Sequence, residues 1–285
     1  MANKILIPVD FSPYSKKAVE YACELAMKKG LELVLVHIFT DHSNIYHNSI
    51  QNPELINPRV GEVKRDMQHL IASIKNDFPE IQISILYHDG NLYDEIKKIV
   101  TAQNYAAIVM GTKGASGLDA LIIGSNTFDV FLNTNTPVLA VPYSEKKHKI
   151  NKLGLLCNFK QGEIDVLKQA IRLYGNDVEL VLIHINTSNE TLSVLDTKFA
   201  KFIQATIEET GVDDISYVIK AQSFFVQYKE DISSAINSVI SDELLDTLLV
   251  TKSKKGFLRK IVEENIVKKM AYEIQIPKFF AKVNL

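Results

Sequence analysis

The sequence predicts an α/β protein made of two doubly wound, mainly parallel five-stranded sheets, each carried by about half of the chain. Apolar runs rich in Ile, Val and Leu alternate with helical patterns along the whole length, the order of right-handed βαβ units. The runs are nearly continuous, as in parallel strands covered on both faces. The chain is also written twice. Lys4–Phe11 corresponds to Lys152–Phe159, Leu31–Ile38 to Val178–Ile185 and Pro137-Val138 to Pro277-Lys278, at offsets of 148, 147 and 140 in unbroken order. Domains are therefore expected over residues 1–145 and 149–285.

In the first half, strands are expected at Lys4–Val9, Leu31–Ile38, Ile81–Tyr87, Ala106–Met110 and Val138–Val141. The first is an apolar run that ends at an acid, Asp10. Helices are expected at Pro13–Lys29, Val60–Asp77, Leu92–Gln103 and Ser125–Leu132. Ser12 is the expected N-cap of the first helix, with Pro13 at its first position and Gly30 at its end. Asn91 is the expected cap of the third.

Composition narrows the function. With 46% hydrophobic and 23% charged residues, the chain has an ordinary globular balance that excludes disorder. A formal charge of −2 gives no general attraction to nucleic acid or acidic lipid. No apolar run reaches about 18 residues, so no membrane span is expected. The start, Met1-Ala2-Asn3-Lys4, leads straight into a strand, and a cytoplasmic protein is expected. Cys23 and Cys157 lie in apolar patterns and read as small buried hydrophobes. His37 and His184 fall at equivalent strand ends, which favours a shared packing or hydrogen-bonding role over catalysis. Asp41, His42 and His47 share a polar loop and could bind a metal, but no cysteine joins them and their spacing is loose, so no metal site is assigned. No nucleophile elbow, zinc-protease helix or paired catalytic carboxylates appear, so no catalytic residue is assigned.

The segment Met110-Gly111-Thr112-Lys113-Gly114, followed by Gly124-Ser125-Asn126-Thr127, carries the most chemistry. Gly111 and Gly114 have no Cβ, so their backbone is free to take positive φ and to approach a ligand closely. Gly124-Ser125 stands where a helix begins, so free N–H groups and the positive end of its dipole face an anion. The spacing matches neither the Gly-x4-Gly-Lys-Ser/Thr loop nor Gly-x-Gly-x-x-Gly after the first strand. In a doubly wound sheet a ligand lies beyond the carboxyl ends of the strands, where the strand order reverses. Together these features describe a phosphate cradle.

A first strand ending in Val9-Asp10, this glycine spacing and the closing strand Pro137-Val138-Leu139-Ala140-Val141 together resemble the universal stress protein family, and within it the ATP-binding branch. The resemblance implies a Rossmann-like, adenine nucleotide alpha hydrolase-like fold with its crevice between the first and fourth strands. It also implies that the halves pack as an intramolecular pseudo-dimer through Val138–Val141 and Lys278–Val283. The implied ligand is ATP, with ADP and AMP as alternatives, accompanied by Mg²⁺. Gly111, Gly114, Gly124 and Ser125 would surround the phosphates, and Asn126 and Thr127 would add contacts at the helix start. Asp10 would accept from ribose hydroxyls or help to hold a cation; the competing reading is a helix-start carboxylate beside Ser12. Pro8 and Val9 would line the purine slot, Val36 would flank the base, and Met110 would meet its plane. Lys113 either neutralises phosphate or is a solvated loop lysine.

The second half departs from that pattern. Gly111 becomes Thr251, Gly114 becomes Lys254, Gly124-Ser125 becomes Glu264-Asn265, and Asp10 becomes Asn158. A glutamate about 4 Å from a phosphate charge would repel it by roughly 4 kcal/mol at an effective dielectric of about 20, or about three decades of affinity. The expectation is a nucleotide-binding stress-response protein with one site, in the first half, and at most slow ATPase activity. Its partners would be an adenine nucleotide and an unidentified protein, with no nucleic acid and no membrane. Its assembly would be a monomeric pseudo-dimer or a homodimer. The alternatives are an ATP-using enzyme, for adenylyl transfer, and a nucleotide-independent interaction protein.

Overall fold

β1 (Lys4–Pro8) buries Ile5, Leu6 and Ile7 completely, and each such side chain stabilises the fold by roughly 1.5–3 kcal/mol. The chain then enters α1 (Pro13–Lys29). Ser12 Oγ accepts from the Ser15 N–H at 3.2 Å, Pro13 fills the first turn where an N–H has no partner to lose, and Gly30 closes the helix at φ +63°. The computed structural model describes residues 3–39, 58–112, 130–131, 133–188, 190–221, 232–252 and 275–283. Within them the chain divides into two compact units, the first ending at Tyr143 and the second beginning at Ser144. The first unit continues with β2 (Glu32–Phe39), α2 (Pro58–Asp77), β3 (Ile83–Asp89), α3 (Leu92–Ala102), β4 (Ala107–Gly111) and β5 (Val138–Val141). The second contains β6 (Lys152–Leu156), α4 (Gln161–Tyr174), β7 (Glu179–Asn186), α5 (Leu192–Thr210), β8 (Ile215–Ala221), α6 (Ile232–Asp242), β9 (Thr247–Lys252) and β10 (Lys278–Lys282).

In the first unit the strands lie side by side in the order β3-β2-β1-β4-β5, every neighbouring pair parallel. The second unit repeats this as β8-β7-β6-β9-β10. The pairing registers match residue for residue. Lys4 pairs with Glu32 as Lys152 pairs with Glu179, Ile5 with Ala107 as Leu153 with Thr247, and Gly111 with Val141 as Thr251 with Ala281. Lys4 and Glu32 form an ion pair at 3.2 Å, and Lys152 and Glu179 form its counterpart at 2.5 Å. The offsets seen in sequence are therefore those of the sheets.

Strand and helix ends fall within about two residues of the sequence reading. Asn91 does cap its helix, accepting from the Tyr93 and Asp94 N–H groups. Most of the helix expected at Ser125–Leu132 lies outside the described residues, although Val130 and Phe131 are helical and buried. Cys23 and Cys157 are buried and form no disulfide, and burial pushes the Cys23 thiol up to about 12 and raises the Cys157 thiol as well. Among the described residues no helix is long and apolar enough to cross a membrane.

Candidate functional site

β1 lies between β2 and β4, and the chain leaves β1 on one side of it and returns on the other. The strand order therefore reverses between β1 and β4, the place where such sheets open at their carboxyl edge. The pairs Ile5–Ala107 and Leu6–Ile108, extended along the strands, set Val9 level with Gly111. Asp10 follows on the rim, exposed, with Oδ1 accepting from the Ser12 N–H at 3.0 Å. One carboxylate thus both shapes the entry to α1 and faces solvent at the crevice. Pro8 is half-buried; Met110, level with it on the same face of the sheet, is buried at 5% exposure, and Val9, on the opposite face, at 3%. Lys113, Gly114, Gly124, Ser125, Asn126 and Thr127 lie outside the described residues, as do Asp41, His42, His47, Lys254, Glu264 and Asn265.

Two sequence readings change. Val36 is fully buried beside Pro8, and its carbonyl accepts the Val9 N–H at 2.8 Å. At that depth it supports Val9 from within the sheet. The residue on the same face at the rim, level with Asp10, is Ile38, which sequence alone did not single out; the two-residue alternation of a strand was the available signal. Gly111 does not use positive φ. A Cβ there would come within 2.7 Å of the backbone C and O of Tyr14 in the first turn of α1. Its lack of a side chain therefore lets α1 lie against the end of β4.

The second unit handles that contact differently. Thr251 replaces Gly111, and Gly162 stands at the place of Tyr14, where a Cβ would meet Val283 at 3.2 Å. In the first unit the Tyr14 ring instead meets Tyr143, centroids 5.7 Å apart. The glycine has moved from strand to helix.

A histidine holds the loop at the end of β1. His37 Nδ1 lies 2.7 Å from the Val9 carbonyl, and since a carbonyl only accepts, Nδ1 carries the proton. Burial holds the His37 pKa below its ordinary value, with Arg59 acting in the same direction and the Val9 carbonyl and Asp10 against it. Phe11 takes φ +63°, a left-handed conformation that is uncommon for a bulky residue, and stacks on His37 at 5.3 Å. In the second unit His184 Nδ1 lies 2.9 Å from the Cys157 carbonyl, and Phe159 takes φ +60° beside it. There Asn158 replaces Asp10. Its N–H donates to both oxygens of Glu163 at 2.9 Å, and the Lys160 N–H donates to the same buried carboxylate at 3.0 Å. Burial raises the Glu163 pKa against those amides. The second unit thus turns its loop amides inward onto its own acid.

The universal stress protein family profile matches residues 1–142. The chain belongs to the universal stress protein family. Over 147 residues, half of this chain and 99% of the relative, it is 29% identical to universal stress protein YxiE of Bacillus subtilis. Over 155 residues it is 26% identical to universal stress protein MJ0577 of Methanocaldococcus jannaschii, again covering half of this chain and 95% of that one. Among solved structures, a universal stress protein from Archaeoglobus fulgidus has the same fold over 99% of both chains, with a TM-score of 0.72 at 18% identity.

Proposed function

We propose that the first unit binds one adenine nucleotide, ATP with Mg²⁺ foremost, and that the chain works as a nucleotide-responsive stress protein. The supporting observation is the exposed Asp10 carboxylate at the β1/β4 reversal, just beyond the end of β4 and on the same face of the sheet as Pro8 and the buried Met110. An acid there suits ribose hydroxyls, and an apolar floor suits a purine ring. The apolar contact at the rim falls to Ile38 in place of Val36. Lys113, Gly114, Gly124, Ser125, Asn126 and Thr127 take the phosphates in this reading, on the strength of their spacing after β4. Phosphate oxygens would supply most of the ligands to Mg²⁺.

The second unit takes no nucleotide in this way. Asn158 stands where the acid should be, and its loop amides are engaged by Glu163. Mass spectrometry of material released from freshly purified protein should find an adenine nucleotide, and titration calorimetry should give one ATP per chain. Asp10→Ala should weaken binding and Gly124→Glu should abolish it. Two sites in the wild type, or full binding by Gly124→Glu, would overturn the reading.

A further inference from the structure

His37 touches both chain neighbours of Asp10. On one side the His37 Nδ1–H donates to the Val9 carbonyl at 2.7 Å, adding a rung beyond the Val9 N–H bond to Val36. On the other, Phe11 lies on the His37 ring at 5.3 Å with 25° between planes. Phe39 meets the same ring edge-on at 4.8 Å. A left-handed phenylalanine costs on the order of 1–3 kcal/mol and persists only where its surroundings hold it. His37 stacks on it, and the buried cluster of Phe39, Val60 and Val63 packs against it as well.

The second unit isolates what the histidine is for. His184 keeps both contacts, 2.9 Å to the Cys157 carbonyl and 5.0 Å to the Phe159 ring. It does so with 6% exposure and with Nε2 lacking a hydrogen-bond partner among the described residues. A buried unsatisfied nitrogen is unfavourable. The bond and the ring contact therefore account for the residue there, and in the first unit the same pair brackets the exposed acid of the candidate site.

We propose that His37 is the positioning residue of the nucleotide site, holding Val9 and Phe11 so that Asp10 presents its carboxylate to the ligand. This rests on the nucleotide reading above. The test uses full-length protein, ATP with Mg²⁺, titration calorimetry and amide hydrogen exchange. His37→Phe keeps a ring and removes the donor; His37→Asn restores a donor near the position of Nδ1. His37→Phe should weaken ATP binding by about tenfold and speed exchange at Phe11 and Ser12, while His37→Asn should recover affinity to within about threefold of wild type. His184→Phe should lower the melting temperature and leave ATP affinity unchanged.

Wild-type affinity in His37→Phe, or an equal loss of affinity in His184→Phe, overturns the role while leaving the nucleotide site standing. Wild-type protein that binds no ATP overturns the site and the role together. If His37→Phe fails to fold, nitrogen-15 spectra of the wild type decide the matter. The Nδ1-protonated tautomer of His37 supports the bond, and the Nε2-protonated one removes its basis.

Discussion

Gly111→Ala separates two reasons for having glycine at the end of β4. An added Cβ would lie 2.7 Å from both C and O of Tyr14 and 3.0 Å from its Cβ. Ordinary contacts begin near 3.4 Å, and the nearest atoms belong to helix backbone, which cannot swing away as a side-chain tip can. To make room, the start of α1 must shift by several tenths of an ångström and carry Ser12 and the Asp10 turn with it. Overpacking of this kind costs about 1–3 kcal/mol, and replacing a strand glycine by alanine returns about 0.5–1 kcal/mol through the unfolded chain. At the middle of these ranges the net loss is about 1 kcal/mol, or roughly 3–5 °C in melting temperature for a unit of this size. Denaturant and thermal melts of nucleotide-stripped protein measure it. If Gly111 serves only a ligand, the stripped variant will be as stable as wild type and only its ATP affinity will fall. That result would refute the packing argument.

Ser12→Ala removes the oxygen that accepts from the Ser15 N–H and should lower stability by about 1 kcal/mol in denaturant melts; no change would mean that the cap is redundant. Thr251→Val should raise stability by about 1 kcal/mol, because Thr251 Oγ1 is buried without a partner among the described residues, and a destabilised variant would reveal a partner. Burial lowers the His37 pKa, so as pH falls the unfolded chain takes that proton first. The stability attached to His37 is complete above about pH 6.5 and is lost as pH falls below it. Glu163, raised by burial, acts with the opposite sign: its contribution is complete below its ordinary value of about 4.3 and is lost as pH rises above it. In a denaturation series between about pH 7 and 5, His37→Asn should therefore show a shallower decline than wild type, and an equal slope would contradict the assignment.

What sequence disclosed was local. Ser12, Pro13 and Gly30 announce α1 because capping chemistry spans only a few residues, and Asn91 announces α3 for the same reason. The strands were legible as apolar runs, and the repeat supplied their correspondence. What escaped depends on distance along the chain. The bond from His37 to Val9 joins residues 28 apart, and the partner that requires Gly111 to lack a side chain is Tyr14, on another element. Nothing in a phenylalanine signals the left-handed backbone of Phe11. The burial of Val36 follows from its register against Pro8, which a single strand does not encode. Glu163 resembles any helix-start acid until the amides that converge on it are known.

The matched registers also record how the two halves diverged. The offset between them falls from 147 at the second strand (Leu33 to Leu180) to 132 at the third (Ile83 to Ile215), and rises to 140 at the fourth (Ala107 to Thr247). Yet β1 and β6 each have five residues, β2 and β7 eight, and β3 and β8 seven. Insertions and deletions thus accumulated in the connections and were filtered out of these strands, where slipping by one residue would turn a buried face outward. A library that varies connection lengths and spares the ladders would repeat an experiment this molecule has already survived once.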